Sequence, residues 1–243
     1  MYRQHDPSPP PPLATGLSFI SAGDPASPTK GSSRVTGLPV HRSILAVDIE
    51  NSTCRTNPMR QALRSQIYRL LDDSLRGAGI GDRDCDPFQD RGDGALVLIH
   101  PVDHIPKPLL LTQVVPRMCA FLCAYNRSLR PEDRIPGRLR IRVVIHAGEV
   151  HYDVYGPFGE SVDIACRLLD APKVKTCLRR SAAPLVLVIS DYLHSEIVRH
   201  QYDGIEACAF APMVNVLVGE RRQRGWVCLP DITHLPAEAA LAA

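Results

Sequence analysis

Apolar residues in the central part of the chain recur at two spacings, which predict strands and helices in alternation. Residues 43–47 form a mostly apolar run that predicts a buried strand ending at Asp48. A helix is predicted to start near Pro58, since proline suits a first helical turn, and to stop at Gly77 and Gly79. The apolar face of this helix consists of Leu63, Ile67, Leu70, Leu71 and Leu75.

The pattern continues to residue 229 as a mixture of strands and helices. A hairpin is predicted at 86–100 with its turn at 90–94, and residues 139–145 predict a central strand. The other predicted elements are helices at 109–128 and 160–171, a strand at 185–190, a short helix capped by Asp191, and strands near 212–218 and 225–229. Because helices alternate with strands while the hairpin adds an antiparallel pair, this order predicts an α/β sandwich around one mixed sheet.

The two ends of the chain lack this periodicity. Residues 1–40 hold eight of the 22 prolines, including a run at 9–12 that favours extended polyproline backbone. We expect a disordered proline-rich tail at 1–40, a folded domain at 41–230 and a frayed C-terminal tail at 231–243. A chain of 243 residues has room for one large domain of this kind.

Composition and charge narrow the classes of function. The formal net charge of +2 gives no electrostatic reason to expect a nucleic acid or an anionic membrane surface as a partner. No window of about 18 apolar residues occurs, so no membrane-spanning helix is expected. The first residues contain no apolar stretch of the signal-peptide kind, and we therefore expect a cytoplasmic location with reduced cysteines.

Two aspartates stand at positions where a carboxylate is costly unless it is paired. Asp48 ends the first predicted strand, and Asp93 lies in the glycine-flanked turn of the predicted hairpin. Two such carboxylates close together repel each other, and a divalent cation, which prefers hard oxygen ligands, removes that penalty. The polar segment after Asp48 includes Ser52 and Thr53, and its backbone N–H groups are available to phosphate oxygens. For either aspartate alone, a helix cap or a turn is the alternative role.

Four segments resemble, in order and approximate spacing, the motifs of class III nucleotide cyclases. They are residues 48–53 (DIENST), 92–94 (GDG), 142–150 (RVVIHAGEV) and 158–168 (FGESVDIACRL). Each motif alone is weak, and the resemblance covers about residues 42–229. It implies an α+β catalytic domain with a ferredoxin-like βαββαβ core and additional strands. It also implies head-to-tail homodimers with active sites at the subunit interface.

The resemblance further implies roles for individual residues. Asp48, Asp93 and the carbonyl of Ile49 would hold two ions of Mn²⁺ or Mg²⁺, which bind the phosphates of a nucleoside triphosphate. Arg167 of the second subunit matches the arginine that stabilises charge in the transition state. A further phosphate-binding cation usually comes from the last hairpin, where the candidates are Arg221, Arg222 and Arg224.

Three positions depart from the family pattern. Four residues before Arg167 the family usually has an asparagine that orients the ribose, and this chain has Asp163. Adenine-using members carry lysine, and guanine-using members glutamate, at the position of Gln89. The second base-reading position is usually aspartate or cysteine and corresponds here to Gly156, with Tyr155 and Asp153 as the alternatives in a shifted register. Because an amide donates and accepts hydrogen bonds, Gln89 suits a pyrimidine as readily as a purine.

Together these features predict a lyase that converts a nucleoside triphosphate into a 3′,5′-cyclic nucleotide second messenger and pyrophosphate. The loss of both purine-reading side chains favours UTP or CTP, and the stand-alone domain is similar to the bacterial pyrimidine cyclases of antiviral phage defence. The alternative is a catalytically degenerate cyclase-homology domain that binds nucleotide or a partner protein without turnover. Asp163 favours that alternative, whereas Asp48, Asp93 and Arg167 oppose it.

Overall fold

The computed structural model describes residues 37–230, so the predicted C-terminal tail and residues 1–36 of the predicted N-terminal tail lie outside the described residues. Eight strands and five α-helices make up this range. The strands are β1 (Val40–Ile49), β2 (Gln89–Asp90), β3 (Gly94–Ile99), β4 (Ile141–Asp153), β5 (Gly156–Phe158), β6 (Leu185–Ser190), β7 (Ala211–Val218) and β8 (Arg221–Cys228). The helices are α1 (Asn57–Gly77), α2 (Val115–Ser128), α3 (Glu160–Leu169), α4 (Pro172–Arg180) and α5 (Asp191–Glu196).

All eight strands join one mixed sheet, which confirms the predicted fold class. Its order is β2-β3-β1-β4-β6-β8-β7, and β5 pairs with the far end of β4. The first part of the chain runs β1-α1-β2-β3-α2-β4, and its four strands are antiparallel in the order β4-β1-β3-β2, which is the ferredoxin-like arrangement. Strand β6 then pairs parallel to β4 and extends the sheet toward β8 and β7.

Helices cover both faces of the sheet, and each face has its own apolar core. Leu45, Val47 and Ile49 of β1 pack with α1 and α2 on one face. The intervening residues Ile44 and Ala46 pack with α3 and α4 on the other face. Since side chains alternate along a strand, Asp48 continues the second series and faces the α3 side of the sheet. This alternation determines which face of the sheet carries the candidate site.

Several predicted elements match the structure closely. Strand β6 has the predicted bounds, and the predicted apolar face of α1 is buried throughout. Helix α1 ends at Gly77, and Gly79 follows with a φ of 80°, a left-handed conformation that glycine adopts without steric cost. No helix within residues 37–230 is long and apolar enough to cross a membrane.

Other elements differ from the prediction for local reasons. The first strand of the hairpin is only two residues long, because Pro87 cannot donate a ladder hydrogen bond. The helix predicted at 109–128 begins as a π-helical segment, Leu110–Val114, because Pro116 has no N–H with which to continue a regular ladder. The helix predicted at 160–171 ends at Leu169, and Pro172 begins the separate helix α4.

Two further predictions about helix and strand boundaries are wrong. The N-cap of α5 is Ser190, whose side chain accepts a hydrogen bond from the Leu193 N–H, and Asp191 is the first helical residue. Its carboxylate instead accepts a hydrogen bond of 2.8 Å from Trp226 Nε1. Strand β8 begins at Arg221 rather than near residue 225, so the three candidate arginines lie on a strand.

Candidate active site

The two predicted metal-binding aspartates meet where β1 and β3 lie side by side. Asp48 is paired in register with Gly94, which places Asp93 at the same edge of the sheet. The Ile49 N–H donates a hydrogen bond of 3.0 Å to the carbonyl of Asp93, which ties the two segments together. Asp48, Ile49 and Asp93 line one cavity of about 440 Å³ that opens between β1, the β2–β3 turn and α3.

The segment after Asp48 forms a second wall of this cavity. Asn51 has a φ of 54°, a left-handed conformation that turns the chain sharply into a short 3₁₀ helix, Ser52–Cys54. Ser52 and Thr53 line the cavity, so the predicted phosphate-facing segment lies beside both aspartates. Glu50, in contrast, forms an ion pair of 2.9 Å with Arg140 outside the cavity.

A buried arginine faces Asp48 across the sheet, and the sequence reasoning assigned it no role. Arg142 on β4 is paired in register with Asp48, and the two side chains form an ion pair. The ion pair joins Arg142 Nη2 to the buried Oδ2 of Asp48, whereas Arg142 Nε is buried and has no hydrogen-bond partner within residues 37–230. Burial lowers the pKa of Arg142, and the negative charge of Asp170 partly opposes this effect. Arg142 therefore compensates the charge of Asp48.

Three more charged residues line the cavity and were also missed. Asp170 follows α3 and forms an ion pair of 2.7 Å with Lys175 on α4. Arg91 precedes the Gly92–Asp93 turn and forms no ion pair with any described residue. Burial raises the pKa of Cys166 on α3, and the charge of Arg91 opposes this rise, so Arg91 lies near that helix. The cavity thus combines three carboxylates with three cationic side chains: Asp48, Asp93 and Asp170, and Arg91, Arg142 and Lys175.

The donor set at Asp48 and Asp93 fits Mg²⁺ or Mn²⁺. These cations prefer oxygen ligands, and the two carboxylates and the Ile49 carbonyl are all oxygen donors. The nearly buried carboxylate of Asp48 needs a cationic partner, a role that Arg142 fills here and that a bound cation would also fill. Among the described residues, no group of three or more histidine, cysteine, aspartate or glutamate side chains could hold a metal ion. The residues therefore favour a cation that water and phosphate oxygens also coordinate.

The two predicted base-reading positions lie together but outside this cavity. A Cβ atom on Gly156 would lie 3.7 Å from Gln89 Oε1, so β5 places that residue directly against the Gln89 side chain. Gly156 has a φ of 130°, a conformation that other residues rarely adopt. The Gln89 amide nitrogen donates a hydrogen bond of 3.2 Å to the Pro87 carbonyl.

The predicted residues of α3 do not line the cavity of their own chain. Cys166 and Asp170 border it, whereas Asp163 and Arg167 lie one turn apart on an exposed face of the helix. Neither Asp163 nor Arg167 forms an ion pair with any residue in the range 37–230. Arg221, at the start of β8, lies 3.6 Å from Glu160 at the N-terminus of the same helix. The chain therefore carries two separate groups of predicted site residues.

His146, which follows the central apolar run of β4, has a structural role. Its ring is buried, and Nδ1 lies 2.7 Å from Ser190 Oγ. Burial, with a smaller contribution from the positive charge of His41, lowers the pKa of His146 to about 4. His146 does not line the cavity, because it lies four residues further along β4 than Arg142, which does.

Solved structures with a similar fold include nucleotide cyclases. No protein-family model matches this sequence, and no curated protein matches it. The adenylate/guanylate cyclase/hydrolase from Silicibacter pomeroyi superposes with a TM-score of 0.53 at 19% identity, over 79% of this chain and 98% of that chain. The guanylyl cyclase Cya2 gives 0.52 at 16% identity, over 81% and 96% of the two chains. The adenylyl cyclase CyaB from P. aeruginosa gives 0.52 at 16%, over 79% and 95%.

These likenesses establish the fold, which is that of class III adenylate and guanylate cyclase catalytic domains. They agree with the mixed sheet and its ferredoxin-like core, and they extend over nearly the whole length of each related chain.

Proposed function

We propose that this protein is a metal-dependent nucleotide cyclase that converts a nucleoside triphosphate into a 3′,5′-cyclic nucleotide and pyrophosphate. The observation that carries the proposal is the cavity in which Asp48 and Asp93 lie together on a cyclase fold. In the reaction, the ribose 3′-oxygen forms a bond to the α-phosphorus and the bond to the β-phosphate oxygen breaks. The 3′-hydroxyl proton leaves to solvent, and the β- and γ-phosphates depart together.

The residues that line the cavity have different roles in the proposed reaction, according to their chemistry. Asp48, Asp93 and the Ile49 carbonyl would hold the divalent cations, Mn²⁺ or Mg²⁺. Bound cations of this kind neutralise the triphosphate and lower the pKa of the 3′-hydroxyl. Ser52 and Thr53 line the cavity, and their backbone N–H groups would bind phosphate oxygens. The remaining cations around the cavity, Arg91 and Lys175, are in position to pair with phosphate oxygens.

The exposed residues of α3 support a homodimer with shared active sites. Arg167 is a guanidinium with no ion pair in the described part of its own chain, and it does not line the cavity of that chain. We propose that it enters the cavity of a second copy and stabilises charge on the transferring phosphate. Arg221 would add a second phosphate contact from the same copy, with Arg222 and Arg224 as alternatives. Asp163 would accept a hydrogen bond from the ribose in place of the usual asparagine.

The base pocket supports a pyrimidine substrate, UTP or CTP. Gln89 offers an amide edge, and the neighbouring Gly156 adds no side chain, so neither the lysine nor the glutamate of purine readers is present. A pocket that hydrogen-bonds one base rejects a base with the wrong pattern strongly. The cyclic nucleotide would then act as a second messenger, and antiviral signalling is the context we propose for it.

The direct test incubates the purified full chain with ATP, GTP, CTP and UTP, each with Mn²⁺ or with Mg²⁺, and identifies products by mass. We expect one 3′,5′-cyclic nucleotide, from UTP or CTP, that is absent with Asp48→Asn. Asp103→Asn is the matched control, because it makes the same change at an exposed aspartate outside the cavity. A cyclic purine product would contradict the base assignment alone.

The second candidate function is a nucleotide-binding domain without turnover, and Asp163 is the observation that favours it. A carboxylate cannot donate a hydrogen bond to the ribose and adds negative charge near a triphosphate. Absence of product from all four nucleotides, together with a rise in melting temperature on adding one of them, would establish this function and refute the cyclase.

A further inference from the structure

Four charged side chains of alternating sign follow one another across the cavity. Asp48 forms an ion pair with Arg142, and Lys175 forms one with Asp170. All four line the same cavity, and the negative charge of Asp170 partly opposes the burial that lowers the pKa of Arg142. Arg142 therefore shares the cavity with two carboxylates, its ion-pair partner Asp48 and the more distant Asp170.

The two carboxylates differ in ways that matter for a divalent cation. Asp48 is nearly buried, with 16% of its side chain exposed, and it is held opposite Arg142 by the β1–β4 register. Asp170 is 72% exposed, and its partner Lys175 is 43% exposed. Water therefore screens the Asp170–Lys175 pair, and exposed pairs of this kind contribute little stability. Asp170 can accept a second cationic partner at low cost.

A cation at Asp48 and Asp93 conflicts with the position of Arg142. A guanidinium and a divalent cation on the same carboxylate repel each other, and this repulsion is large where little water screens it. Arg142 Nε has no hydrogen-bond partner within residues 37–230, so the guanidinium is held at Asp48 through Nη2 and not through Nε. Its planar group and long stem allow it to turn without movement of β4.

We propose that Arg142 is a displaceable counter-ion of Asp48, and that Asp170 receives its guanidinium when a divalent cation binds at Asp48 and Asp93. Asp170 is then a positioning residue for the metal site, although it does not contact the metal. In the metal-free protein, Arg142 compensates the buried charge of Asp48. In the metal-bound protein, the same arginine compensates Asp170. The inference rests on the metal site of the proposed function and does not depend on turnover.

The test measures the dissociation constant of Mn²⁺ from the full-length protein in the absence of nucleotide. Electron paramagnetic resonance gives the concentration of free Mn²⁺ at each point of the titration. We expect Asp170→Asn to weaken Mn²⁺ binding about fivefold or more, the usual lower range for coupling between two sites. We expect Arg142→Met to tighten binding, since the competing cation is gone. In the Arg142→Met background, Asp170→Asn should change the dissociation constant less than about twofold.

The controls separate this coupling from simpler explanations. Asp103→Asn makes the same charge change at an exposed aspartate outside the cavity and should leave the dissociation constant unchanged. If Asp170→Asn weakens binding equally in both backgrounds, Asp170 is a ligand or a bulk charge and the proposal is wrong. If it has no effect in either, Asp170 does not receive Arg142. If Asp93→Asn leaves Mn²⁺ binding unaltered, the metal site of the proposed function is itself wrong.

A second measurement uses the unaltered protein, so its result does not depend on whether the variants fold. Crystal structures of the unaltered protein with and without Mn²⁺ show the guanidinium directly. We expect Arg142 within hydrogen-bond distance of Asp170 when Mn²⁺ is bound, and at Asp48 when it is not. A guanidinium that remains on Asp48 beside bound Mn²⁺ would overturn the proposal.

Discussion

Two inactive variants of this protein should restore each other's activity when they are mixed. The structure separates the cavity carboxylates from Arg167, which lies on an exposed face of α3 and does not line the cavity of its own chain. Asp93→Asn removes a metal-binding carboxylate, and Arg167→Ala removes charge stabilisation worth about 10²–10³ in rate. Each homodimer then carries the same lesion in both of its active sites and is inactive.

The expected recovery follows from the geometry of a head-to-tail dimer. Equal amounts of the two variants that exchange subunits at random form mixed dimers in about half of all cases. One site of a mixed dimer receives both lesions, and the other receives neither. The mixture should therefore recover about a quarter of the activity of the unaltered protein, with cyclic nucleotide measured by mass after overnight exchange.

Two outcomes would refute this arrangement of the site. If the mixture stays inactive while native mass spectrometry shows that mixed dimers form, Arg167 acts within its own chain or does not act at all. If Arg167→Ala alone keeps full activity, the arginine has no part in the reaction. Arg179→Ala serves as the matched control, because this arginine is also exposed and donates a local hydrogen bond to Thr176 on its own helix.

Three further predictions concern stability and base preference. Between pH 6.5 and pH 4 the His146 ring is protonated in the unfolded chain and neutral in the folded one, because burial lowers its pKa to about 4. Acidification from about pH 7.5 to about pH 5.5 should therefore lower the free energy of unfolding by about 1 kcal/mol. Urea unfolding at both pH values should show a smaller loss of stability in His146→Asn than in the unaltered protein. An equal loss in the two proteins would contradict the lowered pKa of His146. Gly225→Ala should lower the free energy of unfolding by about 1–3 kcal/mol, because the new Cβ would lie 2.7 Å from Leu168 Cδ2. Gly81→Ala is the control and should change the free energy of unfolding little, because the nearest atom to its Cβ would be 3.7 Å away. Gln89→Lys should shift the ratio of kcat/KM values toward ATP, and an unchanged ratio for all four nucleotides would exclude Gln89 from the base pocket.

Elements with strong local patterns could be predicted from the sequence. The five apolar residues of α1 recur at helical spacing, and β6 is a continuous apolar run, so both are specified by their own residues. Helix α4 was missed because only Val174 and Leu178 are buried among its nine residues. Strand β5 was missed because three residues, one of them proline, carry no period.

The residues of the candidate site also fall into two groups, those that a local sequence pattern predicts and those that it does not. Asp48 and Asp93 could be predicted, since each stands next to a strand whose apolar run is visible in the sequence. Arg142 lies inside a recognised segment, but its contact with Asp48 depends on the register between β1 and β4, which are about a hundred residues apart in the chain. Asp170 and Lys175 line the cavity beside Asp48 because α3 and α4 pack over this edge of the sheet. No local sequence pattern predicts this packing.

The central claim is that one copy's carboxylates and another copy's arginine meet around a triphosphate. Anomalous diffraction from crystals grown with Mn²⁺ and a UTP analogue that cannot cyclise tests this claim directly. We expect an anomalous peak between the Asp48 and Asp93 carboxylates, with Arg167 of a second copy within hydrogen-bond distance of the α-phosphate. A peak elsewhere, or a triphosphate bound away from both aspartates, would contradict the account.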